Sequence, residues 1–104
     1  MNIQINTDNH IEGGQKFSEY VSGVVSSAFT RFSNQLTHVD VHFSDQNSST
    51  KLGTNDKRCM IEVRITGRKS TAVTSDANSI DEALLGATEK MKHSIENTLG
   101  RANY

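Results

Sequence analysis

Residues 16–45, KFSEYVSGVVSSAFTRFSNQLTHVDVHFSD, contain the change of period that decides the fold. From Lys16 to Phe32 the apolar residues Phe17, Val21, Val24, Val25, Ala28, Phe29 and Phe32 recur every three or four positions. That spacing predicts a helix with one apolar stripe roughly 100° wide. From Leu36 to Asp45 the period drops to two, with Val39, Val41 and Phe43 on one face and His38, Asp40, His42 and Ser44 on the other. This is the pattern of a strand with one face buried.

The same two periods order the rest of the chain. Asn2–Thr7 alternates, with Ile3 and Ile5 inward, and a turn at Gly13-Gly14 leads to the first helix. Residues 46–57 are polar and turn-rich and read as a mobile, partly disordered loop. Arg58–Thr66 alternates again, placing Cys59, Ile61, Val63 and Ile65 on one side and Met60, Glu62, Arg64 and Thr66 on the other. Gly67-Arg68-Lys69-Ser70 makes a tight connection to a Thr- and Ser-rich strand over Thr71–Ala77, which completes a hairpin. Ser79-Ile80-Asp81-Glu82 has capping-box spacing, Ile80, Leu84, Ala87, Met91, Ile95 and Leu99 line the helix that follows, and Gly100 is the expected stop. The element order is β-α-β-β-β-α, an α+β fold: a four-stranded mixed sheet with two helices packed on one face. Strands one and two are parallel through a right-handed crossover, and the others are antiparallel.

Composition narrows the class. The 104 residues suit one domain spanning 1–104, and 34% hydrophobic residues make a thin core. No stretch approaches the about 18 apolar residues of a membrane span, and Met1-Asn2-Ile3-Gln4 lacks the basic start and apolar run of a signal peptide, so a cytoplasmic protein is expected. One cysteine, Cys59, excludes an internal disulfide and any cysteine-rich zinc site. Eleven Lys and Arg against 12 Asp and Glu leave a net charge of −1, so attraction to a polyanion must be local.

The topology predicts where such a patch lies. The end of the first helix, the hairpin turn and the second half of the second helix should converge, gathering Arg31, Arg68, Lys69, Lys90, Lys92 and Arg101, with His93, against Glu89 and Glu96. The opposite end should collect Asp8, Glu12, Asp45, Asp56, Asp76, Asp81 and Glu82, opposed by Lys16, Lys51, Lys57 and Arg58. Charge preferences of helix ends, worth about 0.3–1 kcal/mol each, account for Asp81 and Glu82 and in part for Lys90, Lys92 and Arg101. They do not account for Arg68 and Lys69, which sit in a hairpin turn. A cluster of this kind binds phosphate by counterion release.

Asp56-Lys57-Arg58-Cys59-Met60-Ile61-Glu62-Val63-Arg64, Ala72-Val73-Thr74 and Ile80-Asp81-Glu82-Ala83-Leu84, followed by Ala87 and Lys90-Met91-Lys92, together resemble the short ribosome hibernation promoting factors. These are also called ribosome-associated translation inhibitors or sigma-factor modulation proteins. The resemblance covers nearly the whole chain, and the end soon after the second helix is that of the short form, without the C-terminal domain of longer relatives. It implies a non-enzymatic protein of stationary-phase bacteria that binds the small ribosomal subunit and its rRNA, occludes the channel for messenger and transfer RNA, and can favour paired, inactive ribosomes. It also implies that Arg31, Lys90, Lys92 and Arg101, with Arg68 and Lys69, contact RNA. The first helix departs from the family pattern in offering only Lys16 and Arg31 as cations.

Other chemistry has weaker support. His38 and His42 are roughly 13 Å apart along a strand, too far to share a metal, and Asp40 is about 6.6 Å from each. Cys59 points to the apolar side, where a thiol is inert. Gly13-Gly14 is followed by neither a dinucleotide fingerprint nor a phosphate-loop lysine. Met60 and Met91 read as packing. No cofactor, metal, membrane or small-molecule substrate is expected; a weak homo-oligomer is left open. A regulatory protein-interaction module of the same fold, with weak or lost ribosome binding, is the alternative, and a small enzyme ranks third because no nucleophile and base stand out.

Overall fold

The computed structural model describes residues 1–8, 11, 13–45 and 56–102, the last two by their backbone alone. Glu12, Lys51 and all but the end of the polar loop assigned to 46–57 lie outside the described residues. The elements are β1 (Asn2–Thr7), α1 (Gln15–Phe29), a 3-10 turn (Thr30–Phe32), β2 (Leu36–Asp45), β3 (Lys57–Ile65), β4 (Thr71–Ala77) and α2 (Ile80–Ala102). The sheet order is β1-β2-β3-β4; β1 and β2 are parallel, and β2–β3 and β3–β4 are antiparallel. The expected α+β architecture is the observed one.

Burial follows the period-two pattern. Val39, Val41 and Phe43 of β2 and Cys59, Ile61 and Val63 of β3 are fully buried, and they pack with Val21, Val25 and Phe29 of α1 and Leu84, Ala87, Met91 and Ile95 of α2. Phe17 meets Phe43 edge-on with ring centroids 5.2 Å apart, the geometry that aromatic quadrupoles favour. The intervening residues of both strands face away from the helices and remain partly exposed. One exception has a local cause. Strict alternation puts Leu36 on the wet face with His38, yet a register shift between Leu36 and His38 turns it inward, opposite Ile65 and 2% exposed. A bulge of this kind redirects one side chain without moving the ladder beyond it.

Helix ends account for three further differences from the sequence reading. After Phe29 the chain tightens into a 3-10 turn: the Thr30 hydroxyl donates to Ser26 O (2.6 Å) and Ser33 N–H donates to Thr30 O (3.1 Å), keeping Phe32 buried. α2 begins as expected, with Glu82 N–H donating to Ser79 Oγ (3.2 Å). The Glu82 carboxylate, however, accepts the Ser79 hydroxyl (3.1 Å) instead of returning to a backbone amide. α2 does not stop at Gly100, which keeps a negative φ, and the helix runs to Ala102. Only a left-handed glycine ends a helix in the expected way.

Gly86 lets α2 approach β4 closely, since a Cβ there would collide with Ser75 Oγ. Replacing Ile61 by Ala is expected to cost about 2–5 kcal/mol in chemical denaturation, the usual range for a buried large-to-small change. Glu62→Ala, one residue along on the wet face, should stay within about 0.5 kcal/mol.

Candidate nucleic-acid interface

The β3–β4 turn is built to hold cations in the open. Arg68 N–H donates to Ile65 O (2.9 Å), and Gly67 supplies φ +76° at the third turn position, a conformation costly for any residue with a Cβ. Thr66 anchors the turn to the segment before β2, with both its N–H (2.8 Å) and its hydroxyl (3.2 Å) donating to Gln35 O. Arg68 and Lys69 therefore project from a fixed backbone, exposed and without a carboxylate partner among the described residues. Arg64, exposed at the end of β3, lines the same shallow depression of about 400 Å³ together with Thr37, Arg68 and Lys69. The sequence reading placed Arg64 on the wet face but missed this company. The signal was there: the last outward position of β3 necessarily borders the turn that follows it.

Of the remaining expected cations, Arg31, Lys90 and Lys92 have partners of their own, and the Arg101 side chain lies outside the described residues. Arg31, in the 3-10 turn, is ion-paired to Glu96 and lies over the Phe32 ring at 4.8 Å. Lys92 is 3.9 Å from Glu89, and His93 Nδ1 is 4.0 Å from Glu96. Lys90 Nζ donates to Thr74 O (2.7 Å) at the middle of β4, so it does not reach the hairpin end as expected. The reason is the difference in rise. Ten residues of helix advance about 15 Å, less than the roughly 23 Å length of a seven-residue strand. Arg101 lies on the last turn of α2. Of the expected cations, Arg68 and Lys69 share the hairpin depression, joined there by Arg64, while Arg31 is neutralised by Glu96 and Lys90 stands at mid-strand.

At the other end most charge is cross-paired. Lys57 Nζ sits 3.0 Å from Asp56 and 3.3 Å from Asp45, and these carboxylates, Asp56 foremost, hold its pKa above the ordinary lysine value. Arg58 grips Asp76 through two bonds (2.8 and 3.2 Å), which lowers the pKa of Asp76. On the wet face His38 Nε2 is 3.3 Å from Asp40, and Asp40 stands opposite Glu62 in the ladder. No group of three or more potential metal ligands occurs among the described residues. Burial pushes the Cys59 thiol up to about 12.

Two outcomes follow. Cys59 should resist a thiol-titrating disulfide reagent at mildly alkaline pH in the folded protein and react fully once unfolded, because the thiolate is the nucleophile. Asp76 has a lowered folded pKa, so its pairing stabilises the fold above the unfolded carboxylate value near 3.8 and is lost as pH falls through the folded value. Asp76→Asn should therefore lower stability by no more than about 1 kcal/mol at neutral pH, the pair being exposed. Once pH has fallen below the lowered folded value of Asp76, the variant and parent should converge.

Comparison with known proteins gives a family and a fold. A family profile described as Sigma 54 modulation protein / S30EA ribosomal protein matches residues 3–103. No curated protein sequence matches the chain. Among solved structures, the N-terminal domain of Protein Y from Thermus thermophilus is similar with a TM-score of 0.72 and 17% identity, over 94% of this chain and 99% of that one. A ribosomal subunit interface protein from Coxiella burnetii is similar with a TM-score of 0.71 and 10% identity, over 96% and 99%. At these identities the likeness is one of fold.

Proposed function

The chain belongs to the Sigma 54 modulation protein / S30EA ribosomal protein family, and from that premise we propose that it is a non-enzymatic, ribosome-binding translation inhibitor of the hibernation type. In this reading residues 1–104 act as one cytoplasmic domain. Its hairpin end docks on rRNA of the small subunit, and its folded body fills the channel that messenger and transfer RNA need. The observation that carries the reading is the exposed trio Arg64, Arg68 and Lys69 at the β3–β4 turn, unpaired among the described residues. Preorganised cations lose little freedom on meeting phosphate, and guanidinium groups match phosphate oxygens in pairs. Arg31, Lys90, Lys92 and Arg101 are proposed as further RNA contacts. Releasing Arg31 from Glu96 costs at most about 1 kcal/mol, as exposed pairs do, so a phosphate can compete for it.

A second reading rests on the groove between α1 and α2. Tyr20 and Leu85, 49% and 54% exposed, line it with Val24 and Ala28, and Glu19 and Glu89 are its charged lining residues. The Tyr20 hydroxyl donates to Asp81 (2.8 Å), which ties the two helices together across the groove. An apolar, acid-lined face repels phosphate and suits a protein-interaction module with weak ribosome binding.

Co-sedimentation with small subunits separates the two. Arg68→Glu with Lys69→Glu should abolish binding at low salt without altering the melting temperature. With three phosphate contacts, log Kobs should fall against log salt with a slope of roughly −2 to −3. Binding that survives both the double substitution and high salt overturns the RNA reading and favours the protein-interaction one.

A further inference from the structure

Among the described residues β1 is an open sheet edge, and its first five residues read the same in both directions: Asn2-Ile3-Gln4-Ile5-Asn6. We propose that two copies of the chain pair antiparallel through β1, around a two-fold axis at Gln4, to form a continuous eight-stranded sheet. This inference is independent of the function proposed above.

The palindrome makes every cross-strand pair a matched one. Ile3 meets the partner's Ile5 and Ile5 meets the partner's Ile3 on the helix side. Asn2 meets the partner's Asn6 and Gln4 meets the partner's Gln4 on the open face. Apolar pairs on one face and amide pairs on the other are favourable combinations, and no like charges oppose each other.

Main-chain direction agrees with that register. Asp8 N–H donates to Phe43 O (3.1 Å), so the even-numbered residues of β1 turn their backbone groups toward β2. Along a strand successive residues alternate, which leaves the N–H and C=O groups of Ile3, Ile5 and Thr7 pointing outward. Pairing Ile3 with the partner's Ile5 therefore joins outward group to outward group, as a hydrogen-bonded antiparallel pair requires.

The two sheet edges are treated differently. On β4, Lys90 covers Thr74 O, and the Arg58–Asp76 ion pair places charge along the strand. β1 has no charged residue and no proline, the usual devices that keep edges from pairing. Ile3 and Ile5 are only partly buried beneath α1, and they line a groove of about 650 Å³ with Ser18, Ser22 and Ser26. Those three small side chains, one helical turn apart, leave room for a second copy's isoleucines and for its α1 alongside.

Gln4→Cys tests the register directly. A residue on the axis of a non-hydrogen-bonded pair has its partner's Cα about 4.5 Å away, within disulfide reach. Under mild oxidation this variant should cross-link into a covalent dimer, whereas Ala72→Cys on the exposed face of β4 should not; Cys59 is buried in both. Sedimentation equilibrium of the parent should show a concentration-dependent dimer. Gln4→Lys, which sets two ammonium groups against each other at an exposed site, should raise the dissociation constant severalfold with an unchanged far-UV spectrum. A parent that stays monomeric up to near-millimolar concentration overturns the proposal. So does equal cross-linking of the two cysteine variants, or a dimer that Gln4→Lys leaves untouched.

Discussion

Everything in this protein is arranged around one constraint: a four-stranded sheet is covered on a single face. Val39, Val41, Phe43, Cys59, Ile61 and Val63 are fully buried by α1 and α2, and about 25 cal/mol per Å² of apolar surface removed from water gathers the elements there. Among the described residues the other face has no cover, so the outward positions of β2 and β3 are polar apart from Met60, and His38, Asp40, Glu62 and Arg64 become neighbours. The positions of edges, ends and turns follow. Two helices over four strands leave β1 at one margin and β4 at the other, and the tight β3–β4 connection must protrude beyond the core.

The fold was legible because its signal is periodic and redundant. Four strands and two helices each repeat their pattern several times, and one misleading residue changes little. The misreadings fall where one residue decides. Leu36 breaks parity because of a bulge that no pattern announces. Gly100 was taken for a stop on residue type, although only its backbone angle settles whether a helix ends. The cation cluster was harder to read, since charge position depends on helix rise and rotamer as well as topology. Lys90 reaches Thr74 at mid-strand, and Arg31 finds Glu96, through distances that a sequence does not carry. Arg64 was legible in principle, because its place follows from strand parity and from the turn beside it.

The near-neutral total charge has a structural meaning. Lys57, Arg58, Arg31 and Lys92 are each engaged with carboxylates of the chain itself. Exposed pairs contribute little stability, about 0–1 kcal/mol each, yet they silence cations that otherwise attract any polyanion. Among the described residues Lys16, Arg64, Arg68, Lys69 and Lys90 have no carboxylate ion-pair partner, and Arg64, Arg68 and Lys69 are gathered at the β3–β4 turn. A protein with few free cations binds nucleic acid weakly where only the backbone is offered, and gains affinity only where shape also fits. On the proposed function, selectivity for a preformed RNA surface would follow from scarcity of charge.

Pairing through β1 bears on that surface in a definite way. A two-fold axis perpendicular to the sheet reverses the strand direction of the second copy, so the hairpin turns of the two copies point to opposite ends of the joined sheet. The two trios of Arg64, Arg68 and Lys69 therefore cannot add their fields on one stretch of phosphate; each reads its own site. The dimer gains valence without gaining charge density, and its benefit depends on two RNA surfaces facing opposite directions. On the proposed function, a channel filled by one copy of the fold would leave no place for the second sheet, so occlusion and the proposed β1 pairing would compete, with protein concentration shifting the chain between them.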